Sequence, residues 1–294
     1  MNEGPIHREQ DRHPRVYLIY AAEDTQAAQF VASQADAGQS ADIRPIRSSR
    51  NGLSGWKRAI DQQLQASDFV VIMLSPSSVE SAWARWEADR ALRLEDLADR
   101  DITLVPAIIE NCEVPPEFAD IQMLDARGEE GLARLRRQLS FASKIDWARL
   151  GPQRFEALVT DLLLALGFRQ TGQDTLRSEG RLSVPDMVLS YPYIDPFGIP
   201  IEETWIVEIK FYSSAKADLK AVHQVAEDVS RLPSSAWGLL VTNGRLTSVT
   251  RHWLAEEGSR LARLRVIEGQ ELKRLLLFSA DLIERYFDGR PLPG

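Results

Sequence analysis

Short unbroken apolar runs alternate with amphipathic stretches through the first half of the chain. Arg15-Val-Tyr-Leu-Ile-Tyr-Ala-Ala-Glu-Asp24 reads as a short strand ending in small and acidic residues. An amphipathic helix follows, with Ala27, Ala28, Phe30, Val31 and Ala35 at its apolar positions. A second strand is expected near Asp42 to Ile46. After it come a loop with Asn51-Gly52 and Ser54-Gly55 and a helix from Trp56 to Gln65. Phe69-Val-Val-Ile-Met-Leu74 has no polar position and reads as a parallel strand buried on both faces. Ser81 to Ala98 is helical. Thr103 to Ile109 is another buried run, and its proline, Pro106, points to an edge or strand end. Glu129 to Leu139 closes the half as a charged amphipathic helix. Strands alternating with helices predict a doubly wound α/β domain. In that architecture functional residues gather at the carboxyl ends of the strands.

The second half carries a different pattern. In Glu203-Thr-Trp-Ile-Val-Glu-Ile-Lys-Phe-Tyr212, Trp205, Val207, Ile209 and Phe211 face one way and read as the core face. Ile206, Glu208, Lys210 and Tyr212 face the other. A glutamate and a lysine two residues apart on a strong strand share one face. Pro185-Asp186 lies upstream, with Asp186 22 positions before Glu208, and Glu156 sits on an earlier helix. Two carboxylates and a lysine at adjoining strand ends suit a metal-dependent phosphodiesterase. Mg²⁺ takes oxygen ligands, keeps several waters, polarises a phosphate and acidifies a bound water. Asp186 and Glu208 are the expected ligands, supported by Glu156. Lys210 is the expected catalytic base or charge stabiliser. Ser190 to Pro200, rich in prolines and aromatics, is expected to be a loop inserted between two strands.

Both halves resemble known families. Residues from about 152 to 278 are similar to the Mrr-type restriction endonuclease domain of the PD-(D/E)XK nuclease superfamily. The resemblance rests on the helix Phe155 to Phe168 with its Gly-aromatic stop, Pro185-Asp186, Glu208-Ile-Lys210, Gly238-Leu-Leu-Val-Thr-Asn-Gly244 and Val266-Ile-Glu-Gly-Gln-Glu-Leu272. Glu208 stands where Mrr proteins often carry glutamine, and the segment around Asp186 lacks their glycines. Residues 14 to 140 resemble a TIR domain. Here the motifs are Tyr20-Ala-Ala-Glu-Asp24, Ser67 to Ser75, Ser81-Ala-Trp83-Ala-Arg-Trp-Glu87 and Val105 to Arg127. In enzymatic TIR domains the glutamate of that helix cleaves NAD⁺, so the resemblance gives Glu87 this role. A carboxylate near the ribose stabilises the oxocarbenium character that builds as the nicotinamide bond breaks. Tyr20 and Trp83 are expected to line the same cleft, and the loop Arg47 to Gly55 to cover the nucleotide. Many TIR domains are scaffolds, so an oligomerisation or sensing module that gates the nuclease is a second reading. A third is that the C-terminal half only binds DNA and regulates a TIR NADase.

Length and composition fit this division. The chain has 294 residues, of which 44% are hydrophobic, enough for two cores. The expected plan is a disordered N-terminus over 1–13, a flavodoxin-like TIR domain over 14–140, a linker over 141–151 and an α/β nuclease domain with a mixed central sheet over 152–294. Residues 1–146 hold 17 basic against 24 acidic residues, a net −7, and residues 147–294 hold 18 against 19, a net −1. A nearly neutral nuclease half can still hold a basic groove, but its charge implies no strong sequence-independent affinity for DNA. Several copies side by side, assembled through the TIR domain, would supply more. Lys216, Lys220, Arg245 and Arg251 are candidate phosphate contacts. Cys112 is the single cysteine and the four histidines lack zinc spacing, which excludes a disulfide framework and fits a reducing cytoplasm. No apolar run reaches the roughly 20 residues of a membrane span, and no signal peptide is visible. Together these expectations describe a cytoplasmic prokaryotic defence effector that uses Mg²⁺, with DNA and NAD⁺ as partners.

Overall fold

The computed structural model describes residues 15–32, 42–45, 56–97, 102–142, 144–171, 185–212, 216–217, 219–230, 236–256 and 263–288. The chain divides into two compact units, Met1–Ser143 and Lys144–Gly294. The tail over 1–13, Ala35 and the loop Arg47 to Gly55 lie outside the described residues.

The first unit runs β1 (Arg15–Ile19), α1 (Thr25–Ala32), β2 (Asp42–Pro45), α2 (Trp56–Ala66), β3 (Phe69–Leu74), α3 (Pro76–Glu80), α4 (Ala82–Leu97), β4 (Thr103–Ile108), β5 (Leu124–Asp125) and α5 (Gly128–Ala142). Its strands form one parallel sheet in the order β2-β1-β3-β4-β5. The alternation along β1 and β3 sends Tyr17, Ile19, Val70 and Ile72 to one face. There they pack with Ile60 and Leu64 of α2 and Ala84, Ala88 and Ala91 of α4. Helix α1 packs against α5, and both are tied into the unit by buried residues, Ala28 and Val31 on α1 and Leu135 and Leu139 on α5. Of the apolar positions expected on α1, Phe30 is exposed and lies under the Arg136 guanidinium at 5.0 Å. Pro106 sits inside the sheet opposite Ile72, but β5 pairs only with Ala107 and Ile108. The proline therefore falls where that side of β4 has no partner strand in the register, and its missing N–H leaves no ladder bond unmade.

The second unit runs α6 (Pro152–Ala165), β6 (Arg169–Gln170), β7 (Met187–Ile194), β8 (Pro200–Lys210), β9 (Lys216–Ala217), α7 (Leu219–Ser230), β10 (Ala236–Thr242), β11 (Arg245–Leu246), α8 (Ser248–Glu256), β12 (Leu264–Ile267), α9 (Gly269–Leu277) and α10 (Ala280–Phe287). The main sheet is mixed, in the order β12-β10-β8-β7-β6. β8, β10 and β12 are parallel, while β7 is antiparallel to β8 and β6. Both faces of β8 are covered, not only the face read as core. Phe211, on that expected core face, meets Phe155 of α6 at 5.4 Å between ring centroids. On the opposite face Ile206 packs with Val222 and Val225 of α7 and with Leu240.

Two expectations change here. Ser190 to Pro200 is not a loop insertion but the outer part of a long hairpin, with Tyr191 paired to Glu203 and Ile194 to Pro200. Pro192 is tolerated because β6 pairs with β7 only at Leu189 and Ser190, leaving that edge open. The turn is closed by Asp195, whose Oδ1 accepts from the backbone N–H of Phe197 (2.9 Å) and Ile199 (2.8 Å), and by Gly198 at φ +83°. The stretch 144–150, expected within a linker, is packed in the second unit. Trp147 lies edge-on to Phe155 and to Phe287, each at 5.9 Å, and Lys144 pairs with Asp288 at 2.8 Å.

Candidate functional site

The carboxyl end of β8 gathers the charged residues of the second unit. The parallel register with β10 places Lys210 opposite Thr242, and the antiparallel register with β7 places Met187 opposite Val207. Asp186, one residue before β7, therefore falls beside Glu208 at the same sheet edge. Its Oδ2 accepts the Ile209 backbone N–H at 2.7 Å. Lys210 Nζ donates to Glu208 Oε1 in a close ion pair. Glu208 is only 7% exposed, whereas Asp186 faces solvent. Burial of Lys210 disfavours its charge. The hydrogen bond that it donates to Glu208 and the charges of Glu208 and Asp186 outweigh that and raise its pKa. In this arrangement Lys210 is held as an ammonium against Glu208.

The donor chemistry fits a hard divalent cation. Asp186 spends one oxygen on the strand backbone, and its side chain is exposed at the strand end that also bears Glu208. Two carboxylates with room for water are the ligand set Mg²⁺ accepts. Glu156 does not join them. Phe155, Leu158, Val159 and Leu162 form the buried stripe of α6, and Glu156 lies off it, exposed. Among the described residues no three His, Cys, Asp or Glu side chains stand close enough to hold a metal together.

The other candidates are less closely tied to this edge. Arg251 is engaged by Glu268 at 2.9 Å. Arg245 is half-buried on β11, and the side chains of Lys216 and Lys220 lie outside the described residues. One residue at this edge carries no motif in the sequence. Asn243, directly after β10, accepts the Tyr212 N–H on Oδ1 at 2.8 Å and donates Nδ2 to the Tyr212 carbonyl at 2.9 Å. Its signal is the Asn243-Gly244 dipeptide behind a strong strand, a turn marker whose side chain can also bond backbone.

In the first unit Ser81 caps α4, its Oγ accepting the Ala84 N–H at 3.2 Å. This places Glu87 on the sheet-facing side of the helix, 3% exposed, where the Tyr17 hydroxyl donates to Oε1 at 3.5 Å. Burial, then the Glu87 charge, push the Tyr17 phenol well above its ordinary range, so it stays a donor. Tyr20 is half-buried just past β1, and the Trp83 side chain lies outside the described residues. Sequence reasoning also misses the Ser75 to Asp24 bond (2.6 Å), which ties the end of β3 to the segment after β1. Burial raises the Asp24 carboxyl against the lowering effect of that bond.

Two family models match the chain, one described as TIR domain over residues 16–139 and one described as restriction endonuclease over 147–276. No curated protein matches it. Among solved structures, the DNA modification-dependent restriction endonuclease AspBHI is 18% identical with a TM-score of 0.37, covering 57% of this chain and 43% of its own. The MspJI restriction endonuclease in complex with a 27-mer oligonucleotide is 14% identical with a TM-score of 0.32, covering 75% and 47%. The chain thus spans less than half the length of either. With two sheets of the kind just described and a family match on each half, the chain carries an N-terminal TIR domain followed by an Mrr-like restriction endonuclease domain.

Proposed function

We propose that the second unit is a Mg²⁺-dependent DNA endonuclease and that the chain is a defence effector. The observation that carries this reading is the convergence of Asp186, Glu208 and Lys210 at one sheet edge, with Asp186 bonded to the strand that bears the other two. Asp186 and Glu208 would hold the cation. When bound, it would polarise the scissile phosphate and acidify a water. Asp186 is oriented by the Ile209 N–H, so its free oxygen has a fixed direction. Glu208 is oriented by Lys210 and by its burial. Lys210, kept cationic by both carboxylates, offsets the negative charge that accumulates on the phosphate oxygens.

For the first unit the reading is cleavage of NAD⁺ with Glu87 as the catalytic carboxylate, supported by its place in the Ser81–Trp83–Glu87 motif on α4. The near-complete burial of Glu87 beside Tyr17 favours a second reading, in which the carboxylate is structural and the unit assembles or senses. One parallel assay separates these. Wild type, Asp186→Ala and Glu87→Gln would each receive plasmid DNA and NAD⁺, with Mg²⁺ or with chelator. The expected result is chelator-sensitive nicking lost only in Asp186→Ala, and nicotinamide release lost only in Glu87→Gln. Nicking that survives both Asp186→Ala and chelation would sink the nuclease assignment. An absence of nicotinamide release in every assembly state would leave the first unit as the gating module.

A further inference from the structure

The carboxyl end of β8 is held from outside its own sheet ladder. Pairing of β8 with β10 ends at Lys210 and Thr242, yet Tyr212, two residues further on, is still bonded at both its N–H and its carbonyl. Both bonds come from one carboxamide, the side chain of Asn243. An amide side chain is the only neutral group that can replace a peptide unit in this way, presenting one acceptor and one donor in a plane. Lys210 therefore lies between two clamps. Upstream, the Ile209 N–H is taken by Asp186, and downstream Tyr212 is taken by Asn243.

Asn243 is itself immobilised. The Gly244 N–H donates to Thr242 Oγ1 at 3.0 Å, and the Gly269 N–H at the start of α9 donates to the Gly244 carbonyl at 3.0 Å. The contact with α9 is so close that a Cβ on Gly269 would stand 2.2 Å from the Asn243 carbonyl oxygen. Only glycine fits there. Glu268, just before α9, accepts the Leu246 N–H at 2.7 Å and pins the segment that follows Gly244. Helix α9, the turn after β10 and the end of β8 thus form one connected support.

We propose that Asn243 is a positioning residue for the nuclease reaction, holding the Lys210–Tyr212 backbone so that the Lys210 ammonium keeps its direction beside Glu208. This rests on the nuclease reading above. Asn243 acts through the strand, so its loss should slow chemistry without weakening DNA binding. Displacement of a catalytic group by about 1 Å can cost on the order of 100-fold in rate.

The test is steady-state cleavage of a duplex at saturating Mg²⁺ by wild type, Asn243→Ala and the isosteric Asn243→Asp, with Asp186→Ala as the inactive reference. A carboxylate keeps the shape and the acceptor but loses the donor and repels the Tyr212 carbonyl. Both Asn243 variants are expected to lose about 10- to 100-fold in kcat, with the KM for DNA changed less than about twofold. An Asn243→Asp enzyme with wild-type kcat, or a loss confined to KM, overturns the proposal while leaving the nuclease reading intact. No cleavage by wild type overturns both. Amide exchange in wild type gives a readout that does not depend on how the variants fold. The Tyr212 N–H should exchange as slowly as ladder amides of β8, and exchange at an open-loop rate overturns the proposal.

Discussion

Asp186 divides its two oxygens between different tasks. Oδ2 is committed to the Ile209 N–H and ties the start of β7 to the end of β8; on the nuclease reading the other oxygen would take the cation. A carboxamide can take over the first task but not the second, because its oxygen still accepts from Ile209 while the negative charge is gone. Asp186→Asn should therefore keep the melting temperature of wild type and lose cleavage by about a thousandfold. That is the rate equivalent of the several kcal/mol that charge stabilisation at such a site supplies. A drop in melting temperature as large as that of Asp186→Ala would mean that the backbone tie needs the charge. Glu208 and Lys210 stand out in the sequence because an acid and a base on one face of an apolar strand have no packing reason to be there. Their burial and mutual bond do not, since the helix that covers this face of β8, α7, comes later in the chain. Glu156 shows the reverse. Its helix is legible in the sequence, but the apolar stripe of Phe155, Leu158 and Leu162 turns it away from the core, and the structure leaves it exposed.

At the scale of elements, the closing helix α10 is fastened to α6 by a polar cluster. The Tyr286 hydroxyl donates to Asp161 Oδ2 at 2.9 Å, Arg285 reaches the same oxygen at 2.7 Å, and Arg154 donates to the Tyr286 carbonyl at 2.8 Å. Burial first, then the bond to and charge of Asp161, push the Tyr286 phenol up to about 12. The unfolded phenol titrates near about 10. A folded pKa above the unfolded one means a contribution present below about pH 10 and lost as pH rises towards 12. The second unit should lose stability in this window, and Tyr286→Phe should lose less of it. Denaturant midpoints at about pH 9 and pH 11 check this, and an equal drop in both proteins would count against it. Such long-range fastenings are invisible in the sequence, which reports local preference. Strand β3 and the parallel order of the first unit are legible because burial on both faces demands unbroken apolar runs. The hairpin of β7 and β8 is not, because its prolines and aromatics have the composition of a loop, and only the pairing of Tyr191 with Glu203 makes them strands. The two-residue strands β5, β6, β9 and β11 exist through their partners alone.

For the whole molecule, the nuclease reading makes charge decide how DNA would be engaged. The second unit is nearly neutral, and several of its cations are already spent. Lys144 pairs with Asp288, Lys210 with Glu208, Arg251 with Glu268, Arg265 with Glu271 and Arg285 with Asp161. Each phosphate contact made by an unpaired cation releases counterions and adds affinity, whereas a cation bonded to a carboxylate must first give up that partner. A single copy should hold a duplex weakly at physiological salt. Copies assembled through the first unit would share one duplex, and the second contact then forms at high effective concentration. The rate of cleavage at fixed DNA and Mg²⁺ should accordingly rise with about the square of chain concentration until assembly saturates. Initial rates over a hundredfold dilution series, with light scattering on the same samples, decide the matter. A first-order dependence in a protein that stays monomeric throughout would show that one site on one chain suffices and would overturn assembly through the first unit as the source of DNA affinity.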